Sequence, residues 1–310
     1  MDLSIVIPIK NEAENLSRLF AEISDAITPT GMSYEVIVID DGSNDSSWDV
    51  LQEISGSNPC LRAIRFQYNC GKAMALSQGF ANATGEFVVT MDGDLQDNPF
   101  EVPRMVDILK SGFDLVSGWK TRRLDPWHKT FPSKLFNLVV SWVAGIRLHD
   151  FNCGLKAYRR AVVAHIPLYG DFHRFIPVMA KWRGFRVTET GVEHRARIHG
   201  VSKYGVSRLV SGFLDLITLV FVQKFAVKPL HFFGSIGLLF ILIGSAILTY
   251  FGFEWLITGA LHIRPLMFIG GIALLTGLQL GSLGLLGEMF NARLHPMGAP
   301  ISGFIRPKGI

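Results

Sequence analysis

Two long runs without a single charged side chain constrain this chain more than any other feature. Pro229 to Phe253 and Pro265 to Gly287 contain no Asp, Glu, Lys or Arg. Each exceeds the ~20 apolar residues that cross a bilayer core, whereas runs of about 10–14 suit a buried helix of a soluble domain. A transmembrane pair is therefore expected over residues 229–288, with the lipid bilayer as its partner. The overall balance agrees: 18% of residues are charged and 49% hydrophobic, where a soluble domain carries about 25% charged.

The preceding run, Leu209 to Val227, is interrupted by Asp215 and Lys224. Each would cost roughly 2.5–3.5 kcal/mol at mid-membrane, so residues 206–228 are expected to lie at the interface as an amphipathic helix. Phe136 to Ile146, with Trp142 inside it, suits a second interfacial helix or a core helix equally. Lys203, Arg208, Lys224 and Lys228 precede the first span, and Arg293, Arg306 and Lys308 follow the second. The connecting loop, Glu254 to Arg264, has one Arg and no Lys. Positive residues stay on the cytoplasmic side, so both termini, including a tail over 289–310, are expected there at the inner or plasma membrane. Gly277 and Gly281 form a GxxxG pair, which allows close helix packing and leaves a homo-oligomer open.

Residues 1–205 carry a different pattern. Leu3 to Ile7, Tyr34 to Ile39, Leu61 to Phe66 and Glu86 to Met91 read as strands. Between and after them, Leu16 to Ile27, Trp48 to Ile54, Lys72 to Ala83 and Phe100 to Leu109 read as helices, the first capped by Asn11 with Glu14 closing a capping box. This βαβα order implies an α/β fold with a mostly parallel sheet and helices on both faces. The N-terminus enters a strand without a basic, apolar leader, so a signal peptide is not expected. Cys60, Cys70 and Cys153 are scattered and read as reduced thiols. A net charge of +4 suits phosphate-bearing ligands or an anionic surface, and no nucleic acid partner is expected.

In such sheets ligands bind beyond the carboxyl ends of the strands, and polar residues converge there. Asp92-Gly93-Asp94 follows the fourth strand, with Leu95-Gln96-Asp97 beyond it. Two carboxylates flanking a glycine can face one hard cation, Mg2+ or Mn2+, which prefers few carboxylates plus phosphate oxygens. The same residues also fit a solvated turn. Asp40-Asp41-Gly42-Ser43 ends the second strand and suits either a nucleoside-binding carboxylate or an ordinary turn. Pro8, Asn11 and Glu12 at the first strand end are positioned to form the other wall of a base pocket. No Gly-x-Gly-x-x-Gly or Walker lysine motif is present.

Together, Ile5-Val-Ile-Pro8-Ile-Lys-Asn11-Glu12, Val38-Ile-Asp40-Asp41-Gly-Ser43 and Met91-Asp92-Gly-Asp94-Leu-Gln96-Asp97 resemble the family-2 glycosyltransferases of the GT-A fold. With the two spans, the chain is similar to polyprenyl-phosphate hexosyltransferases, a group that includes dolichol-phosphate mannose synthases and bactoprenol glucosyltransferases. The resemblance implies that Asp92, Asp94 and Gln96 surround the metal and that Pro8, Glu12 and Asp41 hold the nucleotide-sugar donor. It further implies a polyprenyl phosphate acceptor near Lys120, Lys129, Ser133, Arg197 and Lys203. Asp150-Phe-Asn-Cys153-Gly154-Leu-Lys156 resembles the family's acidic-to-glycine loop. Some relatives carry an aspartate near Gly154 as a candidate base, which leaves Asp150 as the nearest carboxylate here. Lysines replace expected arginines at 120 and 129, exchanging a bidentate fork for a point charge.

The activity implied is inverting transfer of one hexose, from UDP-glucose or GDP-mannose, to the lipid phosphate. A processive polysaccharide synthase would need more spans and a Gln-x-x-Arg-Trp type motif, which is absent from the sequence. An inactive membrane scaffold would be expected to have lost Asp92 and Asp94.

Overall fold

The computed structural model describes residues 1–120, 137–168, 170–193, 195, 207–225, 228–260 and 263–294. Two compact units divide the chain, Met1–Asp215 and Leu216–Ile310.

The first unit is built on one seven-stranded sheet of order β3-β2-β1-β4-β6-β5-β7. Strands β1 (Leu3–Ile9), β2 (Tyr34–Asp40), β3 (Leu61–Arg65) and β4 (Phe87–Thr90) run parallel. β1 and β2 are almost wholly buried, as their unbroken runs of Ile and Val require of strands covered on both faces. Helices α1 (Ala13–Ile27), α2 (Ser47–Ser57), α3 (Lys72–Asn82) and α4 (Val102–Lys110) alternate with these strands and with β5 (Leu115–Lys120). Leu16, Leu19, Phe20, Ile23 and Ile27 of α1 all face the core, as their helical spacing dictates.

After β5 the order changes. The helix α5 (residues 137–144) precedes β6 (Lys156–Arg159), which inserts antiparallel between β4 and β5. The short helices α6 (Arg160–His165) and α7 (Ile176–Trp182) lead to β7 (Val187–Val192), parallel to β5. Strands β5 to β7 are too mixed in composition to stand out in the sequence. On α5, Leu138 and Trp142 are exposed one turn apart, while Asn137, Val140 and Ala144 are buried. An apolar outer stripe of this kind suits the interfacial alternative for this segment.

The start of α1 differs from expectation. Glu12, not Asn11, is its N-cap residue, and its side chain makes no capping bond. Asn11 sits at φ +59° and its Oδ1 accepts from Asn44 N at 2.8 Å, tying the β1–α1 loop to the β2–α2 loop. The helix-start amides are satisfied across the same gap: Glu12 N donates to Ser47 Oγ and Ala13 N to Asp45 Oδ2. A neighbouring loop thus replaces the local capping box.

At the opposite, amino end of the strands, Glu35 is 3% exposed. Its Oε1 accepts from Ser4 Oγ, Thr84 Oγ1 and Thr84 N, and its Oε2 from Arg62. Burial opposes this charge, and the hydrogen bonds from Thr84 and Ser4 more than offset it, so the carboxyl pKa is lowered.

The helix α8 (Ser207–Lys224) falls where the interfacial segment is expected. The second unit contains α9 (Pro229–Thr258) and α10 (Pro265–Leu294), both long and apolar enough to cross a membrane. Only 11% and 17% of their most apolar windows are buried. Leu239, Leu242, Leu275 and Leu278 are among many large exposed side chains that hydrocarbon would solvate and water would not. The two helices meet through glycines. A Cβ on Gly277 would lie 2.5 Å from Gly237 O, and one on Gly244 would lie 2.7 Å from Gly270 O. On α10, Gly270, Gly277 and Gly284 recur along this contact at heptad spacing, Gly287 meets Pro229, and the Gly281 amide nitrogen lies 3.2 Å from a Cβ built on Gly237. Gly281, the other half of the GxxxG pair, has open space beside its own Cα.

Candidate active site

The carboxyl ends of β1, β2, β4 and β5 and the amino end of β6 open onto one edge of the sheet. At its centre is the turn after β4. Leu95 adopts φ +61° within it, and Gln96 N donates to Asp94 Oδ1 at 3.2 Å. Asp97 Oδ2 accepts from Asp92 N at 3.0 Å, so the turn folds back on its own start. The segment is also held from outside. Arg195 N donates to Gln96 O, and its guanidinium bonds Asn98 Oδ1 at 3.0 Å and Glu22 Oε2 at 2.5 Å.

Asp92 is gripped on two sides. Its Oδ1 pairs with the Lys72 ammonium at the first residue of α3. Its Oδ2 faces Gly154, where an added Cβ would lie only 2.7 Å away. Burial works against ionisation of Asp92, but Lys72 and then Lys120 outweigh it and lower the pKa. Asp97, 4% exposed, moves the other way: burial and the Asp92 charge raise its pKa to about 6.

A ring of basic groups surrounds these carboxylates. Burial opposes the charge on Lys120, at the end of β5, yet Asp97, Asp150 and Asp92 raise its pKa. Lys156 is 4% exposed and donates to Cys153 O. Its pKa is lowered, first by burial and further by Lys72. Burial also drives His173 well below its usual pKa, aided by Lys72 and Arg174, which leaves a neutral imidazole at pH 7. Its buried Nδ1 has no hydrogen-bond partner among the described residues.

The expected donor residues lie beside this cluster. Pro8 pairs with Ile39 across β1 and β2. Glu12 reaches the acidic turn, since a Cβ on Gly93 would lie 3.7 Å from Glu12 Cγ. Its Oε2 also accepts from Asn15 Nδ2 at 2.6 Å. Asp40 is fully buried; it accepts from Ser43 N and pairs with Arg65 at 3.3 Å. Asp41 accepts from Cys70 N at 2.6 Å and Gly71 N at 3.0 Å. Asn69, with its amide nitrogen turned to Asp41 Oδ2, adds a third donor at 2.6 Å. Asp41 thereby shapes the loop that leads into Lys72. Gly42 permits the approach: at φ +67° its Cβ position is 2.7 Å from Tyr68 C, which only glycine tolerates.

Asp150 is 1% exposed and its Oδ1 accepts from Asn152 N at 2.9 Å. So buried a group contributes charge near Lys120 and Lys156 rather than an open carboxylate. Lys129, Ser133, Arg197 and Lys203 lie outside the described residues. Arg197 follows two positions after Arg195, whose carbonyl accepts from Gln96 Nε2 at 3.4 Å.

The structure thus brings Asp92, Asp94, Gln96, Lys120 and Glu12 to one edge and adds Lys72, Lys156 and His173, which the sequence reading did not assign. Lys72 had a signal available, since Asn69-Cys-Gly-Lys72 is another strand-to-helix loop at the ligand-binding edge. His173 had none, because it arrives from a short 3-10 turn remote in sequence.

Among the described residues no three or more His, Cys, Asp or Glu side chains form a ready metal cage. Asp92 and Asp94, with the Gln96 amide, still form a hard-oxygen donor set on one turn. That chemistry fits Mg2+ or Mn2+ completed by phosphate oxygens.

A mixed sheet with a carboxylate turn at its ligand edge and helices on both faces defines a GT-A type sugar transferase. A family model described as glycosyl transferase family 2 matches residues 4–166, and the chain belongs to that family. It is similar to dodecaprenyl-phosphate galacturonate synthase of Rhizobium johnstonii, 36% identical over 93% of this chain and 87% of that protein. It is also similar to undecaprenyl-phosphate 4-deoxy-4-formamido-L-arabinose transferase of Aeromonas hydrophila, 33% identical over 92% and 87% of the two chains. Among solved structures, glucosyl-3-phosphoglycerate synthase from Mycobacterium tuberculosis with Mn2+, uridine diphosphate and phosphoglyceric acid aligns with a TM-score of 0.57. That match covers 72% of this chain and 78% of the other at 20% identity, and it bears on the fold alone.

Proposed function

We propose that this glycosyltransferase moves a single sugar from a nucleoside diphosphate sugar to the phosphate of a polyprenyl phosphate, with inversion, at the cytoplasmic face of a membrane. The observation that carries this reading is the pairing of a carboxylate-and-lysine crevice at the GT-A edge with a glycine-packed apolar hairpin in the same chain. Relatives that match over nine-tenths of the chain are named for polyprenyl phosphate acceptors, which supports it. Their names carry galacturonate and 4-deoxy-4-formamido-L-arabinose. These sugars, rather than the glucose or mannose favoured by sequence alone, are the proposed donors' glycosyl groups.

The acceptor chemistry is undemanding. A phosphate monoester with a second pKa near 6 is mostly dianionic at pH 7. It is already a nucleophile, so a general base is unnecessary, consistent with the burial of Asp150. The protein's work is to position the reactants, exclude water and stabilise the departing diphosphate. Asp92, Asp94 and Gln96 are the residues to hold a divalent cation, which when bound supplies charge neutralisation at the leaving group. Lys120 contributes an ammonium that its carboxylate neighbours keep protonated. Arg197, Lys129, Ser133 and Lys203 are proposed to receive the lipid phosphate.

The test is transfer itself. Purified protein in detergent, given undecaprenyl phosphate, Mn2+ and a panel of nucleotide sugars, should yield a lipid heavier by one glycosyl unit with one donor. Ladders of several sugars would favour a processive synthase, and no transfer with any donor would favour an inactive scaffold.

A further inference from the structure

Lys72 is held differently from Arg195, which binds both Glu22 and Asn98 and locks two segments together. Among the described residues, the one side-chain hydrogen bond of Lys72 is to Asp92 Oδ1. Both partners remain open to ligands, with side-chain exposures of 32% and 37%. The opposite face of the Asp92 carboxylate is closed by Gly154. A cation approaching Asp92 therefore meets the position that Lys72 already holds.

The loop amides immediately before Lys72 are already taken. Asp41 takes the amides of Cys70 and Gly71, the two residues that lead into α3. The movable positive group at this helix start is the Lys72 ammonium. It sits on a flexible four-carbon stem and binds phosphate as a re-aimable point charge.

We propose that Lys72 is an exchangeable counter-ion that occupies Asp92 until a divalent cation binds there, then swings to the donor diphosphate. This rests on the reading of the crevice as a nucleotide-sugar site. Lys72 competes with the cation and cooperates with the nucleotide, so cation and nucleotide binding are coupled through it. The coupling is reciprocal: each ligand strengthens the other by the same factor.

Direct binding measurements on the full-length protein in detergent test this without recourse to turnover. Free Mn2+ is titrated by electron paramagnetic resonance, with and without UDP, and UDP is titrated by calorimetry, with and without Mn2+. Lys72→Met should bind Mn2+ alone about 10-fold more tightly and UDP in the presence of Mn2+ about 10-fold more weakly, with the coupling largely lost. Lys72→Gln keeps a hydrogen bond to Asp92 while removing the charge. It should shift both affinities in the same directions and covers the case in which the methionine variant folds poorly. Unchanged or weaker Mn2+ binding in Lys72→Gln, or unchanged UDP binding, would overturn the exchange while leaving the nucleotide-sugar reading intact. Failure of the wild-type protein to bind UDP with Mn2+ present would overturn both.

Discussion

Gly154 stands against Asp92 so closely that a Cβ on the glycine would lie 2.7 Å from Asp92 Oδ2 and 2.8 Å from its Cγ. The loop before β6 therefore sets where the Asp92 carboxylate, proposed as a metal ligand, points. It also bears on the acidic residue that some relatives carry near this position. An aspartate at 154 would require Asp92 to move. Gly154→Ala is expected to lower kcat by about 10²-fold, the scale of a misplacement of around 1 Å at a reacting centre. Circular dichroism and thermal melting should stay close to wild type. Unaltered turnover would show that Asp92 tolerates displacement.

Asp94 is 8% exposed and shares its turn with Asp92. Asp94→Asn keeps the shape and removes the charge that a divalent cation needs. A loss of about 10²–10³-fold in kcat is expected, comparable to losing one group that stabilises developing charge. Wild-type activity should likewise vanish in excess EDTA and return with Mg2+ or Mn2+. Near-normal turnover by the variant would remove Asp94 from the metal assignment.

The two halves of the site differ in how far the sequence announced them. β1, β2 and β4 were legible because strands buried on both faces are rich in Ile and Val, and α1 because Leu16, Leu19, Ile23 and Ile27 keep helical spacing. The carboxylate turn at the ligand edge was legible because Asp92 and Asp94 flank a single glycine directly after a strand. The ring of Lys72, Lys156 and His173 was not, since it forms only when α3, β6 and a 3-10 turn converge. Asn11 misled for a related reason: an N-cap pattern is local, yet its side chain found a backbone amide on the neighbouring loop. The hairpin seam was half legible. Glycines marked it: Gly277 and Gly281 of the GxxxG pair both lie against Gly237, and Gly270 and Gly284 extend the contact at heptad spacing.

Arg197 and Lys129 are proposed to meet at the lipid phosphate. A charge-assisted bond is about twice as strong as a neutral one. Arg197→Ala should raise the acceptor KM or lower kcat by about 10-fold or more, with donor affinity little changed. Lys129→Ala should act in the same direction more mildly, since lysine offers no fork. Acceptor kinetics alongside nucleotide calorimetry separate the two sites. Loss of nucleotide binding in Arg197→Ala would move that residue to the donor diphosphate.

Glu35 supplies a pH signature of the fold. Its folded pKa is lowered from 4.5, so the unfolded chain takes up a proton first as pH falls. The stabilisation it gives is present above pH 4.5 and is lost as pH drops through the lowered folded value. Glu35→Gln should destabilise the catalytic unit by about 1–3 kcal/mol near pH 7, the cost of disturbing a buried hydrogen-bonded group. The gap between wild type and variant should narrow in acid. Melting curves from pH 7 to pH 3 would show this, and a constant gap would contradict it.

The most direct test of the central claim is nuclear magnetic resonance of the anomeric centre in the purified lipid product. A single sugar joined to the polyprenyl phosphate, with anomeric configuration opposite to that of the donor, is the expected result for one in-line displacement by a phosphate nucleophile. Retained configuration, or more than one sugar per lipid, would contradict it.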